Sequence, residues 1–306
     1  MPSLRVGTRG SLLALTQTRT FTTALTDRWP GLELSETLIR TEGDVSTEPL
    51  STSTTPGLFV GALRQALLCG EVDVIVHSMK DLPAAAHPDI ATACIPERED
   101  PRDVLVSRNN LRLSELPSGA RVGTCSPRRA ASIRALRPDL TIDHIRGNID
   151  SRIAKVERGD YDATVLARAG LNRIGRADVA AEVFSATDWI PAAGQGALAI
   201  ECRADDEATR ALLAELDDIE TRLTTAAERH VLVGLAAGCS TAIGAFAVLD
   251  DSGLTLTAEL AVEATGAAVR VVDHEPNVNL ERARKLGLRV ATKLRNSPIA
   301  REAAWT

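Results

Sequence analysis

The sequence predicts an α/β protein of two similar domains followed by a smaller α+β domain. Three observations predict this. Apolar strand-like runs alternate with helical segments over residues 1–97 and again over about 103–190. The runs are nearly continuous in apolar residues, as in 72–78, which suits a parallel sheet covered on both faces. After residue 218 the style changes. Leu254, Leu256, Ala258, Leu260 and Val262 alternate with other residues, as in an antiparallel strand with one open face.

The elements follow in order. Residues 3–8 form the first strand and 9–11 a turn. A helix runs from 12 to about 28, where Trp29-Pro30-Gly31 ends it. Residues 34–40 form the next strand. Residues 41–57 are rich in Ser and Thr with little apolar content, and a segment of that length suits a lid loop or, as the alternative, a plain disordered loop. A helix over 58–69 precedes the most apolar strand, 72–78. Later strands are expected at 104–107, 120–124, 141–145 and 163–167. Ser126 suits a helix N-cap and Pro127 the first helical position. The small residues of 191–197 make a crossing. A helix over 219–236 follows, then strands at 241–249, 254–262 and 267–274. Asp251-Ser252-Gly253 and Ala264-Thr265-Gly266 supply their turns. A helix over 280–296 closes the pattern. In the α/β part a ligand is expected at the carboxyl ends of the strands, between the domains.

Charge points to the chemistry. Between residues 121 and 152 seven arginines face three aspartates, a net +4 within a chain of net charge −6. A basic band in an acidic protein suggests a local anion site. The chain has 31 Arg and 4 Lys, so arginine over lysine is partly compositional and position is the better guide. Arg128 and Arg129 fall in the first turn of a helix, where the helix dipole disfavours cations unless an anion is present. An anionic ligand docked there is one reading, and a solvated surface pair is the other. Arg9 stands in a similar strand–turn–helix, and so do Arg146 and Arg152 around Arg146-Gly147-Asn148.

Lys80 and Asp81 end the most apolar strand. A carboxylate there can act in acid–base chemistry or stabilise a developing cation, or it can simply cap a turn closed by Pro83. Cys125 lies beside a helix N-terminus and two arginines, surroundings that favour a reactive thiol. Cys239 lies in a small-residue turn. Electrostatics alone prefers Cys125, although most lone cysteines are small buried hydrophobes. Five cysteines without paired spacing suggest a reducing compartment, and no zinc-ligand spacing occurs. Aromatics at 3% and the acidic net charge weigh against nucleic-acid binding. No run of 18 apolar residues and no signal-peptide pattern are present, so neither a membrane span nor export is expected. A non-catalytic carrier or sensor of a polycarboxylate remains the competing functional class.

The motifs together resemble one family end to end. They are Arg9-x-Ser11-x-Leu13-Ala14, His77-Ser78-x-Lys80-Asp81-Leu82-Pro83, Glu97-Arg98-Glu99-Asp100-Pro101-Arg102-Asp103, Gly123-Thr124-x-Ser126-x-Arg128-Arg129, Arg146-Gly147-Asn148, Gly194-Gln195-Gly196 and Gly238-Cys239. The chain closely resembles the porphobilinogen deaminases, also called hydroxymethylbilane synthases. The resemblance implies two α/β domains of the type II periplasmic-binding-protein kind and a C-terminal α+β domain with a three-stranded antiparallel sheet. It divides the chain into 1–97 with 197–215, 102–191, and 219–306. It implies a transferase that condenses four porphobilinogen units, with loss of ammonia, into hydroxymethylbilane.

The same resemblance implies a dipyrromethane primer held through a thioether at Cys239, which overrides the preference for Cys125. It makes Asp81 the catalytic carboxylate that stabilises a cationic azafulvene. Lys80, Ser11, Thr124, Ser126, Arg128, Arg129 and Arg146 match cofactor-contacting positions. Arg9, Arg152, Arg173 and Gln195 match substrate-binding ones. No metal, nucleotide, nucleic acid or membrane is implied, and a cytoplasmic monomer is expected. The chain departs from many members at Pro56, where they have Lys before Gly-Leu-Phe.

Overall fold

A computed structural model describes residues 3–40, 60–237 and 241–303. The lid segment 41–57 with Pro56, and Gly238-Cys239-Ser240, lie outside the described residues. In chain order the strands are β1 (Ser3–Thr8), β2 (Glu33–Leu38), β3 (Val74–Ser78), β4 (Ile90–Cys94), β5 (Asp103–Ser107), β6 (Arg121–Gly123), β7 (Thr141–Asp143), β8 (Ala163–Ala167), β9 (Glu182–Val183), β10 (Leu198–Arg203), β11 (Ile243–Asp250), β12 (Gly253–Ala261) and β13 (Ala268–Glu275). The α-helices are α1 (Leu12–Arg28), α2 (Gly61–Leu68), α3 (Pro127–Leu136), α4 (Ile149–Glu157), α5 (Arg168–Arg173), α6 (Glu207–Ala214), α7 (Ile219–Leu235) and α8 (Leu280–Arg295). They divide into two compact units, residues 1–99 with 197–222, and residues 100–196 with 223–306.

The first unit holds a five-stranded sheet in the order β2-β1-β3-β10-β4. β1 is parallel to β2 and β3, whereas β10 is antiparallel to both β3 and β4. Val74, Ile75 and Val76 are buried, and so are Leu198, Ala199 and Ile200 on β10. α1 starts where Ser11 accepts a hydrogen bond from the Ala14 amide at 3.3 Å, and it ends at Trp29 as expected.

The second unit repeats the style in the order β7-β6-β8-β5-β9. β6 is parallel to β7 and β8, whereas β5 is antiparallel to β8 and β9. The sheets are therefore mixed, which corrects the parallel reading. A fully apolar run reports burial on both faces, and burial does not encode direction. β4, β9 and β10 carried no clear pattern in the sequence. Ser126 caps α3, accepting from the Arg129 amide, and Pro127 takes the first position. Asn148 caps α4 and accepts from Ser151. Gly147 has φ +106°, and a Cβ there would run into Ser151 Oγ, so this turn requires glycine.

The same unit carries the three-stranded antiparallel sheet β11-β12-β13. Leu254, Leu256, Ala258 and Leu260 point into one core with Val231 and Leu235 of α7 and with Leu286, Val290 and Leu294 of α8. The alternation in 254–262 is thus the inner face of the central strand. Gly244 on β11 lies against Ile190, and the Ala245 amide donates to Pro191 O at 2.9 Å.

Candidate functional site

In the first unit the expected residues leave the sheet at one edge. β1 and β3 are parallel neighbours, with Val6 opposite Val74 and Gly7 opposite Ile75. Arg9 and Ser11 follow β1, and Lys80 and Asp81 follow β3 in a single 3-10 turn, Met79–Asp81. That turn is pinned from below. Met79 is buried and its amide donates to Ala197 O at 3.0 Å. Gln17 Nε2 donates to Ser78 Oγ at 2.8 Å. Arg9 and Lys80 are half-buried and engaged with other groups. The Asp81 carboxylate is exposed and takes no hydrogen bond or ion pair from any described residue. An open carboxylate on a rigid strand end can face a developing positive charge.

Behind that edge lies a buried polar cluster that the sequence did not announce. Glu201 on β10 is 2% exposed. Arg64 of α2 grips it bidentately, with Nε to Oε2 at 2.9 Å and Nη2 to Oε1 at 2.6 Å. His77 Nε2 lies 3.4 Å from Oε2. Burial would push the Glu201 carboxyl up, but the neighbouring His77 and the hydrogen bonds and charge of Arg64 outweigh it and pull it down to about 2. His77 was visible in its motif, and its partner from a distant strand was not.

The second unit gathers the arginine band at the edge where β6 and β7 end. Thr124 is buried, and its Oγ1 accepts from the Ser126 amide at 3.1 Å. Arg128 and Arg129 are 6% and 7% exposed, so they are not a solvated surface pair. Part of their counter-charge is supplied from within the unit. Asp103, fully buried at the start of β5, accepts from Arg128 Nη2 on Oδ2 and from Arg129 Nη2 on Oδ1, both at 2.7 Å. Trp189 Nε1 donates to Oδ2 and Gln195 Nε2 to Oδ1, both at 2.9 Å. Burial would raise the Asp103 carboxyl, but the two arginine charges and their hydrogen bonds hold it well below the usual carboxylate range. The nest of two guanidiniums and one carboxylate keeps a net +1. Arg129 Nε is buried there without a hydrogen-bond partner.

The other expected residues differ in how committed they are. Gln195 is 1% exposed and its amide nitrogen also donates to Pro101 O at 2.7 Å, so it braces the nest from inside. Arg152 Nε donates to Gly147 O, and Arg173 Nη2 to Gly196 O at 2.7 Å. The half-buried Arg146 guanidinium has no hydrogen-bond or ion-pair partner among the described residues. Asp100 repeats the Asp103 arrangement on a smaller scale, with Arg102 Nη2 at 2.6 Å and Arg168 Nε at 3.1 Å. Asp103, Asp100 and Trp189 were missed as site residues. The only signal was the motif 97–103, which carried no role of its own.

The described cysteines differ in kind. Burial pushes Cys94 up to about 12 and Cys202 up to about 11, which leaves both as inert thiols. Cys125 is half-buried and its thiol donates to Ile145 O at 3.0 Å. Cys239 lies outside the described residues.

Comparison with known proteins gives family matches over most of the chain. A family model described as porphobilinogen deaminase, dipyromethane cofactor binding domain, matches residues 4–211. A second, porphobilinogen deaminase, C-terminal domain, matches residues 222–296. A porphobilinogen deaminase of Mycobacterium bovis (strain BCG / Pasteur 1173P2) is 48% identical over 309 residues, covering 99% of this chain and 98% of the relative. That of Leifsonia xyli is 46% identical over 308 residues, covering 97% and 93%. Among solved structures, the methionine-binding protein MetQ aligns at 12% identity over 70% of this chain and 89% of its own, with a TM-score of 0.45. The arginine-specific periplasmic binding protein STM4351 of Salmonella typhimurium aligns at 13% identity over 71% and 92%, with a TM-score of 0.41.

Proposed function

This chain belongs to the porphobilinogen deaminase family, and from that premise we propose how its residues divide the work. The chain is a transferase of tetrapyrrole biosynthesis, joining four porphobilinogen units head to tail, with release of ammonia, into hydroxymethylbilane on a dipyrromethane cofactor. Our reading makes Asp81 the catalytic carboxylate. The observation that carries it is the exposed Asp81 side chain, without a partner among the described residues, held by a pinned turn at the end of a buried strand. As ammonia leaves, positive charge develops on a pyrrole. A fixed negative charge at that position stabilises the charge without needing to reorganise.

The donors present fit the cofactor. Each of its pyrroles carries an acetate and a propionate, and bound to the chain it supplies the primer to which substrate is joined. The second unit offers acids a buried nest of net +1, the unpaired donor Arg129 Nε, the uncommitted Arg146 guanidinium and the hydroxyls of Thr124 and Ser126. Guanidinium forks bind carboxylates bidentately. We assign Arg128, Arg129, Arg146, Thr124 and Ser126, with Ser11 and Lys80, to the cofactor, and Arg9, Arg152 and Arg173 to substrate carboxylates. Gln195 acts through Asp103 in this reading. Cys239 is the proposed thioether anchor, supported by its place in the family motif Gly238-Cys239 and by the inert settings of Cys94 and Cys202.

The proposal includes the three-domain division at 1–97 with 197–215, 102–191 and 219–306, and a cytoplasmic monomer acting without nucleic acid. Among the described residues no helix is long and apolar enough to cross a membrane. The test is Asp81→Asn. The variant should fold and carry the cofactor mass, while porphobilinogen consumption falls about a hundredfold, the usual scale for losing one such electrostatic group. Turnover near wild type would overturn the assignment.

A further inference from the structure

We propose that Asp103, braced by Trp189, is a positioning residue that sets Arg128 and Arg129 in their carboxylate-binding geometry before any ligand arrives. The inference rests on the functional reading above and goes beyond it, because it gives the acidic end of the motif 97–103 a task.

Four donors converge on one carboxylate. Oδ1 accepts from Arg129 Nη2 at 2.7 Å and Gln195 Nε2 at 2.9 Å, and Oδ2 accepts from Arg128 Nη2 at 2.7 Å and Trp189 Nε1 at 2.9 Å. Two acceptor sites per oxygen are thereby filled, so Asp103 has no capacity left for a ligand or for proton transfer. Each guanidinium is also fixed at a second point, Arg128 Nη1 to Ile190 O and Arg129 Nη1 to Val165 O, both at 2.9 Å. Two anchors on a planar group fix its plane. Trp189 cannot shift easily, because it stacks on Phe184 with centroids 4.2 Å apart and planes 7° from parallel. What the brace leaves open is Arg129 Nε, buried and without a partner. A donor aligned in advance costs no ordering when the ligand binds.

The sign of one measurement separates this from simple charge. Removing a negative group beside two cations should tighten anion binding if charge alone matters. If Asp103 acts by positioning, its loss should weaken binding. Calorimetry with citrate as a tricarboxylate probe on apo chain gives the readout, for wild type, Asp103→Asn and Trp189→Phe. In Asp103→Asn the new amide N–H faces a guanidinium donor and one anchor is lost, so affinity should fall at least about tenfold, the scale of a charge-assisted bond. Trp189→Phe keeps the stack and both ion pairs but removes one donor, so affinity should fall about threefold to tenfold with net charge unchanged. Unchanged or tighter binding in Asp103→Asn overturns the proposal. Where Asp103→Asn does not fold, Trp189→Phe decides, and wild-type affinity in that variant overturns it.

Intact mass of the same preparations separates the two levels. Wild type without a dipyrromethane adduct counts against the functional reading, while a loss of citrate binding in the variants still supports the brace. Wild type with the adduct, and variants loading it as fast as wild type, overturns the brace alone.

Discussion

Glu201→Gln tests the buried cluster behind the Asp81 edge. The carboxylate is 2% exposed and takes two hydrogen bonds from Arg64, at 2.6 and 2.9 Å, with His77 at 3.4 Å. The amide keeps the shape but points an N–H at a guanidinium donor and leaves Arg64, itself 14% exposed, without its counter-ion. The fall of the carboxyl from 4.5 to about 2 corresponds to about 3 kcal/mol at 1.36 kcal/mol per pH unit. Breaking one side of a buried pair costs about 3–5 kcal/mol, the same range. Urea denaturation of both proteins at pH 7 should therefore show a loss of about 3 kcal/mol. The pH dependence has a definite sign. Glu201 titrates lower in the folded chain than in the unfolded one, so its contribution is complete above about pH 4.5 and is lost as pH falls toward 2. The gap between wild type and variant should close over that window. Adding Arg64→Met should recover more than half of the loss, because the orphaned charge is then gone. A loss under about 1 kcal/mol at pH 7, or a gap that persists in acid, would refute the reasoning.

Two arginines of the band should behave oppositely. Arg128→Leu takes one of two arginine partners from buried Asp103, which keeps Arg129, and should cost about 1.5–3 kcal/mol in thermal or urea denaturation, whereas Arg146→Leu removes a group without a partner among the described residues and should cost under about 1 kcal/mol while cutting cofactor loading, read by intact mass, about tenfold. Peptide mapping of the holoprotein should place the adduct on the peptide with Cys239. Cys239→Ala should abolish adduct and activity and Cys125→Ser spare both, and an adduct on Cys125 would reverse the assignment. Gly244→Ala would set a Cβ 2.7 Å from Ile190 O, and overpacking of that kind should lower stability by about 1–3 kcal/mol in a melt, with far-UV circular dichroism unchanged.

Much of the fold was legible because local chemistry wrote it. Ser126 caps the helix it was expected to cap, Pro127 takes the first helical position, Ser11 caps α1 from the turn expected at 9–11, and the alternation of 254–262 became β12. The Asp81 edge was legible too, since an acidic residue after a mostly apolar buried strand emerges at a sheet end. The buried pairs were not. Glu201 lies 137 residues from Arg64, and Trp189 lies 86 from Asp103. No window of sequence relates them. The family resemblance placed Gln195 among the substrate-binding residues, and only the tertiary structure shows that its amide also donates to Asp103.

By itself the sequence determined most of the elements, though not β4, β9 and β10, together with the strand ends that carry Arg9, Asp81 and Arg128, and the family. Tertiary structure decided what those side chains meet, and strand direction is the physical reason. β5 runs antiparallel to β8, with Asp103 opposite Ala167, so its first residue arrives at the edge where β6, β7 and β8 finish. β10 runs antiparallel to β3, with Leu198 opposite Ser78, which brings Ala197 under the Met79–Asp81 turn. An apolar run buried on both faces reads the same in either direction. The hydrogen-bond ladder chose the direction, and with it the buried acid that holds two arginines in place.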